Sequence, residues 1–252
     1  MTTSSTPAST PAAASAASVL QNLDLAELNQ RFDTAHPAEI LAWCTANIPT
    51  GLVQTSAFNV DDVLITDLLY RQLQPNSPVP VLFLDTLYHF PQTLELVEKA
   101  EQIYNLNLQV YKIPDINSRD EFAARYGDAL WDRDITQFHH LTKIEPLQRG
   151  LQELGAIAWI TGRRRDQAVT RADMPVLELD SQQRLKVNPL ASWTREKSWE
   201  YVAEHKMIYN PLHDQGYPSI GDEPITTPVR DGEDERAGRW RGSNKTECGI
   251  HI

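Results

Sequence analysis

Between residues 51 and 160, short apolar runs alternate with longer stretches whose apolar positions recur at helical spacing. The runs at 52–56, 79–84, 108–113 and 156–160 have the length of strands, and 60–73, 91–104 and 144–154 read as helices. This alternation predicts an α/β fold with a parallel sheet flanked by helices, because parallel neighbours need crossover connections and those connections cover the sheet. Ahead of this block, Leu20, Leu23, Leu25, Leu28 and Phe32 predict an amphipathic helix over 20–32, and Pro37 suits the first turn of another over 37–47. Cys44 falls inside that second helix, where a thiol serves as a small buried hydrophobe. Ligands of such sheets sit beyond the carboxyl ends of the strands, which makes the loops starting at Ser56, Asp85 and Thr161 the candidate site.

A chain of 252 residues holds one sizeable domain with a full core. Its 23 basic and 34 acidic residues give a net charge of −11, which argues against nucleic acid or an anionic membrane as partner. An anionic ligand must then be held by a local basic cluster. With two cysteines, Cys44 and Cys248, neither a disulfide framework nor a four-thiolate metal site is available, and a reducing, cytoplasmic setting follows. No apolar run approaches the roughly 18 to 20 residues of a membrane helix. Residues 1–18 are rich in Ser, Thr, Ala and Pro with no charged side chain, and read as a disordered tail. Residues 211–241 read as a long functional loop leading into the carboxyl-terminal tail.

Each loop offers its own chemistry. After Ser56, free amides at a helix start and the serine hydroxyl suit a phosphate or sulfate, while Asp61 and Asp62 favour the helix dipole. Asp85 either accepts hydrogen bonds from a ribose or adenine, or caps the helix that follows. After Thr161 come Arg163, Arg164, Arg165 and Arg171, four arginines in nine positions, either a phosphate clamp or a solvated charge run. Near the end, Cys248 stands close in sequence to Arg239, Arg241, Lys245 and His251, cations of the kind that favour the thiolate needed of a nucleophile.

The tail Lys245-Thr246-Glu247-Cys248-Gly249-Ile250-His251 resembles the Glu-Cys-Gly-Leu-His ending of the sulfonucleotide reductases, which reduce adenylyl sulfate or 3′-phosphoadenylyl sulfate to sulfite. Further segments are similar in the same order. Ser56-Ala57-Phe58-Asn59 resembles the family's modified phosphate loop, with Asn59, a residue tolerant of positive φ, where glycine commonly stands. Leu84-Asp85-Thr86, Phe90-Pro91-Gln92-Thr93, Lys143-Ile144-Glu145-Pro146, the run from Gly162 to Arg171 and the run from Tyr209 to Tyr217 are the others.

The resemblance implies an adenine-nucleotide alpha-hydrolase-like (PP-loop-like) fold, with a reductase domain over 19–237 and a mobile catalytic tail over 238–252. It implies Cys248 as the catalytic nucleophile, and Ser56, Phe58, Asp85, Lys143, Arg164, Arg165, Gln167, Arg171, Arg239 and His251 as substrate-binding residues. Members with an iron–sulfur cluster carry four cysteines where this chain has Phe138, His139, Asp222 and Ile225, so no cluster and no metal is expected. Gly221-Asp222 and Thr226-Thr227 are similar to the thioredoxin-dependent branch that takes 3′-phosphoadenylyl sulfate. Residues 228–240 look more like the cluster-containing branch, which keeps adenylyl sulfate as an alternative substrate. Reduced thioredoxin or glutaredoxin is the implied electron donor, and a homodimer one assembly to consider. Rivals from other classes are a non-catalytic nucleotide-binding protein and an adenylyl transferase, whose Ser-Gly-Gly-x-Asp-Ser loop is absent here.

Overall fold

A computed structural model of the chain describes residues 20, 23–241, 245, 247 and 249–251; residues 1–18, expected to form a tail, lie outside the described residues. Asp24 caps helix α1 (Leu25–Phe32) by accepting the Ala26 and Glu27 amides at 3.0 Å, so the helix starts later than its leucine spacing suggests. Pro37 opens α2 (Pro37–Asn47), in which Cys44 is fully buried; burial pushes its thiol up to about 12, which leaves it inert. There follow β1 (Leu52–Ser56), α3 (Val60–Asp67) running on into π-helical turns over Leu68–Leu73, β2 (Val81–Asp85), α4 (Pro91–Tyr104) and β3 (Leu108–Lys112). Three helices too short for readable periodicity come next, α5 (Arg119–Tyr126), α6 (Leu130–Arg133) and α7 (Ile135–His139), and then α8 (Glu145–Glu153) and β4 (Ala158–Ile160). The last elements are β5 (Leu177–Leu179), β6 (Leu185–Val187) and α9 (Arg195–His205).

The strands form one sheet in the order β3-β2-β1-β4-β6-β5. β1 pairs in parallel with β2 (Gln54↔Val81) and with β4 (Val53↔Trp159). The expected parallel sheet is present, with one antiparallel strand at its edge, where β5 runs against β6. A tight turn joins them, with Asp180 accepting the Gln182 and Arg184 amides, and so short a connection permits only antiparallel pairing. The chain leaves β1 on one side toward β2 and β3, and returns on the other side at β4. That reversal opens a crevice at the carboxyl ends of β1 and β4, the place where such sheets bind ligands.

The main core lies under α2 and α3, and a second cluster of Val53, Leu82, Leu147, Leu151, Ala156 and Trp159 lies under α8. Gly150 lets α8 sit close to the sheet, since a Cβ there would fall 2.7 Å from Leu82 Cδ1 and 2.9 Å from Tyr111 Cδ2. No helix among the described residues is long and apolar enough to cross a membrane.

Candidate active site

A cavity of about 180 Å³ occupies that crevice, lined by the loops after β1, β2 and β4, by α9 and by segments from 213–221 and 235–251. Among the described residues its lining carries seven cationic side chains, Lys143 and Arg163, Arg164, Arg171, Arg195, Arg236 and Arg239, against the carboxylates of Asp61, Asp62 and Glu235. In an acidic chain this is the local basic cluster an anionic ligand requires.

The loop after β1 differs from expectation in two ways. Its positive φ falls on Phe58 (56°), while Asn59 is extended at −69° and uses its side-chain oxygen to accept the Ile220 amide at 3.2 Å. Phe58 is buried edge-on against Phe83 at 5.5 Å and does not line the cavity, so its part is to fix the turn. The loop amides are also already engaged: Ser56 Oγ accepts from Phe58 N at 3.1 Å, and the Asp62 carboxylate accepts from Ala57 N at 2.9 Å. Asp62 thus stands where an anion was expected. Burial, helped by neighbouring Asp61, outweighs these backbone donors and pushes its carboxyl up to about 7. Gly162 is required beside it, because a Cβ would collide with Asp62 Oδ1.

The arginines after β4 take different directions. Arg164, 2% exposed, is gripped by Asp61, by Asp166 at 2.8 Å and by Glu235 at 2.9 Å, so most of its charge is spent within the wall. Arg165 leaves the cavity to pair with Asp33 at 2.7 Å and to donate to the Met174 carbonyl at 2.8 Å. Asp85 is likewise absent from the cavity lining and accepts the Leu87 amide at 2.9 Å within its own turn, while the helix that follows is entered through Phe90. Arg171 remains at the cavity with Gln167 Oε1 at 2.5 Å, and Arg239 donates to Ser219 Oγ and the Ile220 carbonyl at 3.1 and 3.2 Å. Ser56, Lys143 and His251 also line it.

The tail closes one side. Arg171 holds Glu247 through both carboxylate oxygens, Nε at 2.8 Å and Nη2 at 2.7 Å, and Arg236 approaches the same group at 3.3 Å. Ile250 packs on the cluster under α8, and the His251 ring stacks on Trp159 at 5.8 Å and 8°. Cys248 lies outside the described residues, between Glu247 and Gly249, which are described. Burial first, and then the charges of Arg163, Arg171, Lys186 and Arg236, hold His251 well below its ordinary range, so it is neutral at pH 7.

This sets the sign of an acid response. A histidine whose docked pKa is depressed favours docking above its free value of about 6.5, and that preference drains away as pH falls below it. Carboxypeptidase should therefore trim the tail faster as pH drops from about 7 to about 5, with His251→Gln flattening the response. A wild-type digestion rate that ignores pH, after correction for the protease, would refute it.

Comparison with known proteins bears directly on this cavity. Residues 51–228 match the family model described as the phosphoadenosine phosphosulfate reductase domain. The chain is 42% identical over 226 residues to a phosphoadenosine phosphosulfate reductase of Emericella nidulans, covering 89% of this chain and 74% of that one. The chain belongs to the phosphoadenosine phosphosulfate reductase family. A relative from Bacillus subtilis, named adenosine 5′-phosphosulfate reductase 1, is 40% identical over 214 residues, 84% of this chain and 89% of its own. The crystal structure of phosphoadenylyl-sulfate (PAPS) reductase from Candida auris, a phosphate complex, superposes with a TM-score of 0.73 at 38% identity, covering 81% of this chain and 96% of that one. The chain is accordingly an oxidoreductase with the mostly parallel, PP-loop-like sheet of this family.

The four positions at which the sequence resemblance would place cluster cysteines, Phe138, His139, Asp222 and Ile225, come together in space. Phe138 is fully buried against Tyr88, Phe122 and Trp131, with Ile225 packed on the same cluster, and His139 Nε2 lies 3.9 Å from Asp222 Oδ2. None of the four offers a thiolate, so this donor set does not fit an iron–sulfur cluster.

Several lining groups were invisible to sequence reading. Asp61 stands in the first turn of α3, as a dipole partner would, and also joins Arg164, Gln167 and the Ser198 hydroxyl, the last at 2.8 Å. Arg195 and Ser198 ride on α9, whose mostly polar sequence gives no apolar stripe to find. Glu235 and Arg236 come from a stretch without regular structure.

Proposed function

We propose that this chain reduces 3′-phosphoadenylyl sulfate to sulfite and adenosine 3′,5′-bisphosphate, with reduced thioredoxin as donor. The observation that carries the reading is that the tail around Cys248 meets one cationic cavity: Ile250 and His251 line it together with Lys143, Arg171, Arg236 and Arg239, and Arg171 and Arg236 hold Glu247. In the first step the Cys248 thiolate attacks the sulfate sulfur; a sulfur–sulfur bond forms, the sulfur–oxygen bond to the phosphate breaks, and the nucleotide bisphosphate leaves with that electron pair. The enzyme is left as S-sulfocysteine. A thioredoxin thiolate then attacks the Cys248 sulfur and expels sulfite, and the second thioredoxin thiol resolves the mixed disulfide, so that the donor's dithiol supplies both electrons. Glutaredoxin offers the same chemistry.

Because His251 is neutral, the thiolate is favoured by the guanidinium and ammonium groups around the cavity, which also take up charge developing on the departing phosphate. The donor set at Phe138, His139, Asp222 and Ile225 supports a reaction that runs without a cluster. Return of Cys248 to a thiol after each turnover calls for a reducing compartment, in keeping with a cytoplasmic location. The tail must open for the donor after closing over the nucleotide.

The second reading, adenylyl sulfate as substrate, is favoured by the likeness to the Bacillus subtilis protein of that name. Offering both sulfonucleotides side by side separates the two by kcat/KM. Incubation with the preferred one and no thioredoxin should leave one sulfonate on Cys248 by mass spectrometry. An adduct on Cys44, or nucleotide bound with no adduct, would overturn the mechanism.

A further inference from the structure

We propose that Asp222 is a positioning residue for this reaction, acting through Lys143 by holding its ammonium at the cavity wall where the sulfonate is transferred; the proposal rests on the reductase reading above. Asp222 is fully buried and does not itself line the cavity. Its Oδ1 accepts the Thr86 hydroxyl at 2.8 Å, and its Oδ2 lies 2.6 Å from Lys143 Nζ. Thr86 and Lys143 both line the cavity, so the carboxylate stands one layer behind two side chains that face the ligand. Its own backbone is pinned, by a bridge to His89 and by the Glu223 amide donating to the Tyr88 carbonyl at 2.7 Å.

The charges support this division of labour. A fully buried carboxylate persists only where opposite charge and hydrogen bonds compensate it. Burial raises its pKa, but Lys143, His89 and the Thr86 hydroxyl lower it further, and Asp222 is held well below the usual carboxylate range. His139 stands 3.9 Å away, yet burial and Lys143 push it down to about 3, so it contributes bulk without charge at neutral pH. A lysine on its four-carbon stem is otherwise a loosely placed point charge. Tied to Asp222, the ammonium needs no reorganisation as negative charge builds on the oxygen between sulfur and phosphorus.

The test compares wild type, Asp222→Asn, Lys143→Met and the double variant, reading sulfite release with 3′-phosphoadenylyl sulfate and reduced thioredoxin, and affinity for adenosine 3′,5′-bisphosphate by calorimetry. Asp222→Asn should lower kcat by roughly 10- to 100-fold with bisphosphate affinity little changed, a split that lost packing alone would not produce. The double variant should be no slower than Lys143→Met. Losses that multiply, or wild-type kcat in Asp222→Asn, overturn the assignment. Asp222→Leu with Lys143→Met removes both charges and leaves none stranded, so its comparison with Lys143→Met decides the matter even where Asp222→Asn does not fold. An active wild type with an undiminished Asp222→Asn sinks this inference alone, whereas a wild type silent toward both sulfonucleotides sinks the reductase reading and this inference with it.

Discussion

Cys248→Ser should release no measurable sulfite, a fall on the order of 10⁴-fold or more, while nucleotide affinity stays close to that of the wild type. Two physical steps fail together. A serine hydroxyl is a far weaker nucleophile than a thiolate at neutral pH, so attack on the sulfate sulfur is slow. Had it occurred, the product would be a sulfate ester, with no sulfur–sulfur bond for thioredoxin to exchange against, and the sulfur would remain fully oxidised. Binding survives because the groups proposed to hold the nucleotide, Lys143, Arg171 and Arg239 among them, are untouched. Calorimetry with adenosine 3′,5′-bisphosphate and a sulfite assay on the same preparation check both halves, and retained turnover would remove Cys248 from the mechanism. Cys44→Ala is the matched control and should keep its activity, since Cys44, a residue of α2, is fully buried in the main core with its thiol pushed up to about 12.

The regions legible in sequence were those where one physical signal dominated. β1, α3, β2 and α4 repeat a strand-and-helix period over enough residues to be read, and Pro37 and Pro91 mark the first turns of their helices. β5 and β6 have three residues each, below the length at which alternation means anything, and so the antiparallel edge was missed. The site divides in the same way. Clustered residue types, such as the arginines after β4 and the cations near Cys248, announce themselves, but sequence does not say which way a guanidinium turns. Arg165 goes to Asp33 and Arg171 goes to Glu247 because of carboxylates 132 and 76 positions away in the chain. Phe58 and Asp85 illustrate the complementary case: a motif residue can serve its loop's own shape and stand outside the cavity lining.

Arg164→Met should destabilise the fold more than it harms any single contact with ligand. The guanidinium, 2% exposed, is shared among Asp61, Asp166 and Glu235, which come from α3, from its own loop and from the segment before the tail. Removing it strands the carboxylates of Asp61 and Glu235, which water reaches poorly, at a cost of about 3–5 kcal/mol, and for a chain of this size the melting temperature should fall by about 10 °C. Glu235 shows how narrow the balance is: burial lifts its carboxyl above the usual range even with Arg164 beside it. Arg164→Lys should rescue little, because one ammonium does not reach three carboxylates as a planar fork does. Asp61→Asn in the Arg164→Met background should recover part of the loss, by relieving one of the stranded charges. A thermal melt within a degree or two of wild type would show that the network is incidental, and would return Arg164 to the phosphate clamp that its place in the sequence suggested.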